Sequence, residues 1–184
     1  YTAKGPARNS IPSQWQIDCR QQTGKLLQLG DTGFNVALEL SRHPLAKVRR
    51  AAAIHFALFK RPESKEPLQR LICDSNARVR MQGLRSYSLL LFHRMTLNHF
   101  WKVDHLPPGV EKVIPLLDDV NTKVRWYAVH TLGRCANSGD RRIGEALEKA
   151  LRDPKHKVVH AAALHLGRRC PGCGYAAPKA DSGN

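Results

Sequence analysis

The chain has 184 residues, 42% of them apolar, enough for one ordinary domain or a short array with a continuous core. Thirty Lys and Arg against fifteen Asp and Glu leave a formal charge of +15, which favours an acidic partner: nucleic acid, an anionic protein surface or anionic lipid. There is no run of about 18 apolar residues and no N-terminal signal pattern, so neither membrane insertion nor secretion is expected.

Taken in order, residues 1–11 carry Gly, Pro, Asn and Ser without an apolar period and are expected to form a flexible arm. The chain opens on Tyr1 rather than Met, so a piece of a longer protein is expected. A single array is predicted over 12–169, opening on a helical cap that contains Trp15, Cys19, Leu26 and Leu27. A first unit follows at about 32–59, with helices over Phe34–Leu40 and Ala46–Phe59 and a corner at His43-Pro44, where proline fixes φ. The second unit, about 64–91, has Asp74 or Ser75 as the expected N-cap of its second helix. Residues 92–109 form an insertion with Phe92, Phe100 and Trp101, read as a packed connector or as an edge element with a role of its own. The third unit, about 110–135, holds Pro115 inside its first helix, where a kink is expected. The fourth, about 140–169, is followed by a Gly- and Pro-rich tail at 170–184 that is expected to be disordered.

The division into units rests on one recurring phrase. It reads HPLAKVRRAAAIHFA from His43, DSNARVRMQGLRSYS from Asp74, DVNTKVRWYAVHTLG from Asp119 and DPKHKVVHAAALHLG from Asp153. Aligned on Val48, Val79, Val124 and Val158, a small residue stands four places on (Ala52, Gly83, Ala128, Ala162). A large one stands eight places on (Phe56, Tyr87, Leu132, Leu166), which gives an apolar seam along a helix. The valines are 31, 45 and 34 residues apart, periods that signal stacked helical units.

These residues resemble HEAT repeats, and more narrowly the short HEAT-like repeats whose second helix begins D-x-x-x-x-V-R-x-x-A. Asp74, Val79 and Arg80 match with Gly83 for Ala; Asp119, Val124, Arg125 and Ala128 match in full; Asp153, Val158 and Ala162 match with Val159 for Arg; His43 replaces the acid before Val48, Arg49 and Ala52. The resemblance implies an all-α fold, an α-solenoid of about four helix pairs behind an N-terminal helical cap. It also implies a scaffold for partner proteins, with second helices lining the concave side. From the same resemblance, Arg49, Arg80 and Arg125 are expected to bond Asp74, Asp119 and Asp153 of neighbouring corners.

Two surfaces are candidates for binding. The corners supply Lys47, Arg49 and Arg50, then Arg78 and Arg80, Lys123 and Arg125, and Lys155 and Lys157, a ridge suited to a phosphate backbone or an acidic protein strip. With the three arginines assigned to the corners, Lys47, Arg78, Lys123 and Lys157 are the partner-facing candidates, against the alternative of ordinary solvated charge. The concave face carries positions two, six and ten after the core valine: Arg50-Ile54-Leu58, Met81-Arg85-Leu89, Trp126-His130-Arg134 and His160-Leu164-Arg168. There Trp126 beside His130 and Arg134 reads either as a binding hot spot or as a packed aromatic.

Metal and catalytic readings are weaker. Cys170-Pro-Gly-Cys173 has zinc-like C-x-x-C spacing with His156, His160 and His165 upstream, but no second pair completes it and those histidines face different ways. No metal or cofactor is expected. Some basic HEAT-like proteins are DNA glycosylases, yet no Asp or Glu occurs in Val48–Phe59, Val79–Leu91, Val124–Cys135 or Val158–Arg169, so that chemistry has no acid on the concave face. The expectation is therefore a non-enzymatic, monomeric scaffold for an acidic protein partner, with nucleic-acid binding as the alternative. Five cysteines at scattered spacings and no Asn-x-Ser/Thr acceptor place it in a reducing intracellular compartment, cytoplasmic or nuclear.

Overall fold

A computed structural model describes residues 14–92, 109–136 and 139–167, with backbone alone over 14–20. Residues 1–13, 93–108 and 168–184 lie outside it, and with them nearly all of the expected arm, the insertion and the tail. The described residues are all-helical, without a strand. Helix α1 spans Gln14–Gln28, α2 Gly30–Leu40, α3 Ala46–Phe59, α4 Lys65–Leu71 and α5 Ala77–Leu91. A 3-10 helix at Val110–Asp118 precedes α6 (Thr122–Gly133), α7 (Arg141–Ala150) and α8 (His156–Leu166).

Three local expectations are corrected. Helix α2 begins at Gly30 rather than Phe34, because Gly30 takes a φ of +55° and breaks the chain away from α1 in a single residue. The first helix of the third unit is a nine-residue 3-10 helix, not a kinked α-helix. Pro115 has no N–H to donate and its ring would press on the carbonyl four residues earlier, so the segment winds more tightly. The N-cap of α5 is Asn76, whose side chain accepts from the Arg78 N–H; Asn121 caps α6 in the same way from Lys123. Asp74 stands two residues earlier and closes a turn by accepting the Asn76 N–H, as Asp119 does for Asn121 and Asp153 for Lys155.

The recurring seam is the core. Val79, Val124, Val158, Ala52, Ala128, Ala162, Phe56, Tyr87 and Leu132 are fully buried, each large one contributing about 1.5–3 kcal/mol. Val48 and Leu166, first and last of the series, are only partly covered. Gly83 marks a close approach of α4 and α5: a Cβ there would stand 3.0 Å from the Leu71 carbonyl carbon and 3.1 Å from the Ile72 nitrogen. Helix α3 packs on α5, α5 on α6 and α6 on α8, while α2, α4, the 3-10 helix and α7 each pack on the helix that follows.

Candidate binding groove and the corner ladder

Along one edge, guanidinium groups join successive corners. Arg49 Nε and Nη2 donate to Asp74 at 2.6 and 2.9 Å, and Arg80 to Asp119 at 2.6 and 2.9 Å. Arg125 reaches Asp153 at 2.6 and 3.0 Å. The remaining nitrogen, Nη1, turns back to the chain's own corner: Arg49 to the carbonyls of His43 and Pro44, Arg80 to Asp74 and Ser75, Arg125 to Asp119 and Val120. Each planar fork thus clamps its own corner to the next, a geometry that Lys could not reproduce. Burial alone would push the Asp74 and Asp153 carboxyls up, but the bonded arginines and the turn N–H groups outweigh it and hold both below the usual carboxylate range. In the first corner His43 Nδ1 accepts the Leu45 N–H at 3.1 Å, doing the turn-closing work of the aspartates without their charge.

Beside this edge lies a groove of about 1210 Å³. Its aliphatic lining comes from Ile54 and Leu58 of α3 and Met81 and Leu89 of α5; Leu58 is 41% and Leu89 49% exposed. Six cations also line it: Arg50, Arg78, Arg85, Lys123, Lys155 and Lys157. Among the described residues no carboxylate lines it, nor does any Phe, Tyr or Trp. The charge follows from a segregation in the sequence, since α3, α5, α6 and α8 contain no Asp or Glu. Among the described residues Arg78, Arg85, Lys123 and Lys157 take part in no ion pair.

The structure therefore merges the two surfaces read from the sequence. Arg50, Arg78, Arg85, Lys123 and Lys157 meet in one groove, while exposed Lys47 does not line it. Nor do Trp126, His130 and Arg134. The Trp126 ring is half-buried against the core and meets Tyr127 and His130 edge-on at 5.0 and 4.2 Å. His130 shares a 3.0 Å hydrogen bond with His165 of α8, and burial, aided by the charges of Arg134 and His160, lowers its pKa to about 4. Arg134 lies 5.0 Å from the Phe92 ring centroid. Cys170, Cys173 and Arg168 lie outside the described residues, within which no cluster of three metal-ligating side chains occurs.

Sequence reasoning passed over one regularity. The residue seven places after each core valine is polar and buried in every unit: His55, Ser86, Thr131 and His165. Each has a partner, His55 with Thr23 of α1 at 2.6 Å, Ser86 with Gln82, Thr131 with the Tyr127 carbonyl and His165 with His130. The register alone would have found this layer, but the apolar seam drew the alignment to positions four and eight.

Neither any protein-family model nor any curated protein matches the chain. Among the described residues no helix is long and apolar enough to cross a membrane.

Proposed function

We propose that the chain is a HEAT-type α-solenoid segment acting as a monomeric, non-enzymatic scaffold that holds an acidic protein partner in the groove. The solenoid reading is supported by the fourfold phrase, by packing of each second helix on the second helices before and after it, and by the guanidinium links between corners. One observation carries the binding reading: among the described residues the groove is lined by six cations and several aliphatic side chains and by no carboxylate. Phosphate neutralisation needs only the cations, whereas an acidic protein segment with apolar side chains uses both the cations and the aliphatic lining. Base stacking, the usual source of grip on single strands, finds no Phe, Tyr or Trp among the groove's described residues, where His156 supplies a single imidazole ring.

The test compares a Glu- and Leu-containing peptide with duplex and single-stranded oligonucleotides by fluorescence anisotropy. Salt runs from about 50 to about 200 mM, over which a polyanion held by phosphate contacts alone loses roughly 10³-fold or more in affinity. The peptide should be the tighter ligand at the upper salt, and exchange of Arg78, Arg85, Lys123 and Lys157 for Glu should abolish its binding. An oligonucleotide that wins at the upper salt and is lost in the same variant would establish the nucleic-acid reading instead.

A further inference from the structure

The groove is not uniform along its length. Leu58 and Leu89 occupy the same register position, ten residues after Val48 and Val79, so they lie side by side toward the C-terminal ends of α3 and α5. Arg78, Lys123 and Lys157 share another position, one residue before the core valine, at the N-terminal ends of α5, α6 and α8. The side of the groove at the helix C-terminal ends therefore carries the exposed leucine pair, with Arg85 a turn away, and the side at the N-terminal ends carries the three shared cations and Arg50. In the corners of α6 and α8 only Val120 adds apolar lining, with Lys123, Lys155 and Lys157 around it.

From this polarity we infer that the groove takes a bipartite segment of a partner protein, a pair of large aliphatic side chains followed or preceded by a short acidic run. The inference rests on the acidic-partner reading and adds the order of chemistry along the ligand. Neighbouring helix axes stand about 8–10 Å apart, so two steps from α5 to α8 span roughly 16–20 Å. An extended chain rises about 3.3 Å per residue and covers that span in about five or six residues. The acidic run is therefore about six residues long, with its carboxylates distributed over Arg78, Lys123 and Lys157. Leu58 and Leu89 supply the anchor, since an exposed aliphatic pair with Arg85 one helical turn from Leu89 favours apolar side chains that carry an acidic neighbour.

The experiment uses three fluorescein-labelled peptides: an aliphatic pair joined to about six glutamates, the same composition interleaved, and the glutamate run with alanines for the pair. The first should bind about tenfold more tightly than either of the others at physiological salt. In the Leu58→Ser, Leu89→Ser double variant, with helicity checked by circular dichroism, that advantage should vanish while the glutamate run binds as before. Equal binding of all three peptides to the wild-type chain overturns the bipartite inference and leaves the acidic-partner reading intact. Failure of all three, with tight binding of an oligonucleotide, overturns both.

Discussion

Replacing Arg80 by Met tests whether the corner ladder holds the units together or merely decorates their edge. Met keeps the length of the apolar stem and removes the guanidinium, which makes four hydrogen bonds: two to Asp119 and two to the carbonyls of Asp74 and Ser75. The Asp119 side chain is 5% exposed and would keep only the Asn121 N–H. Stripping one partner from a buried pair costs about 3–5 kcal/mol, and because the Arg80 side chain is itself 13% exposed the lower end applies, about 3 kcal/mol. For a chain of this size that is roughly 6–12 °C in Tm, read by thermal and urea unfolding followed by circular dichroism, with the denaturant slope unchanged. Asp119→Asn should cost less, about 1–2 kcal/mol, since the amide oxygen still closes the turn. The double variant should fall short of the sum by about 1–3 kcal/mol. Arg78→Met, two residues away and exposed, is the control and should stay within about 0.5 kcal/mol. If Arg80→Met behaves like that control, the ladder is a set of ordinary surface pairs and the account of how corners are joined is wrong.

Further outcomes are open to the same measurements. Gly133→Ala would put a Cβ 2.1 Å from the His165 ring and should cost about 1–3 kcal/mol by urea unfolding despite alanine's better helix propensity; a neutral or stabilising result would mean that the ring can move aside freely. Asn121→Ala removes the α6 cap and should cost about 1 kcal/mol, whereas the same change at Asn35, exposed within α2, should be nearly neutral. His55 and His130 are held below the usual histidine range by burial, so the unfolded chain binds more protons below pH about 6.5, and stability, fully present above that value, should fall as pH drops toward about 4. Asp74 and Asp153 are shifted down, so their contribution is present above about pH 4 and is lost only below it; a stability curve flat from pH 7 to 5 would contradict the histidine assignment. Added salt should raise Tm at neutral pH, because it screens the cations around the groove more than the partly buried ladder, and a fall in Tm would reverse that ranking.

How much of this was legible depended on what each residue's neighbour in space contributes. The seam residues were readable because burial at spacings of four and eight needs no knowledge of the next unit, and α3 ends where the apolar pattern ends. The α5 cap was misread because Asp, Ser and Asn all suit an N-cap; Asp74 stands two residues before the true cap, closing the turn and accepting from Arg49, 25 residues earlier. Pro115 was correctly seen as a disturbance, but its missing N–H and ring clash are met here by tightening into a 3-10 helix rather than by a kink, two responses that the sequence pattern does not distinguish. Trp126 was ambiguous for the same reason: position two of a unit faces the groove in α3 and α5, as Arg50 and Met81 show, but in α6 that position packs against Tyr127 and His130.

The basic character of the chain also has two physical origins that sequence spacing runs together. In each of the first three corners a cation precedes the core valine and an arginine follows it, two residues apart and alike in charge. The arginine that follows is planar, reaches a carboxylate in the next corner and is absorbed into structure. The cation that precedes, in Arg78 and Lys123, pairs with no carboxylate among the described residues and lines the groove. In the fourth unit the pattern separates by itself: Val159 takes the ladder position, while Lys157 keeps the groove position. A ladder arginine requires an acidic corner to receive it, whereas the groove lysine requires only a ligand. The persistence of the second cation where the first is lost argues that the two sets answer to different requirements, cohesion between units and charge presented to a partner.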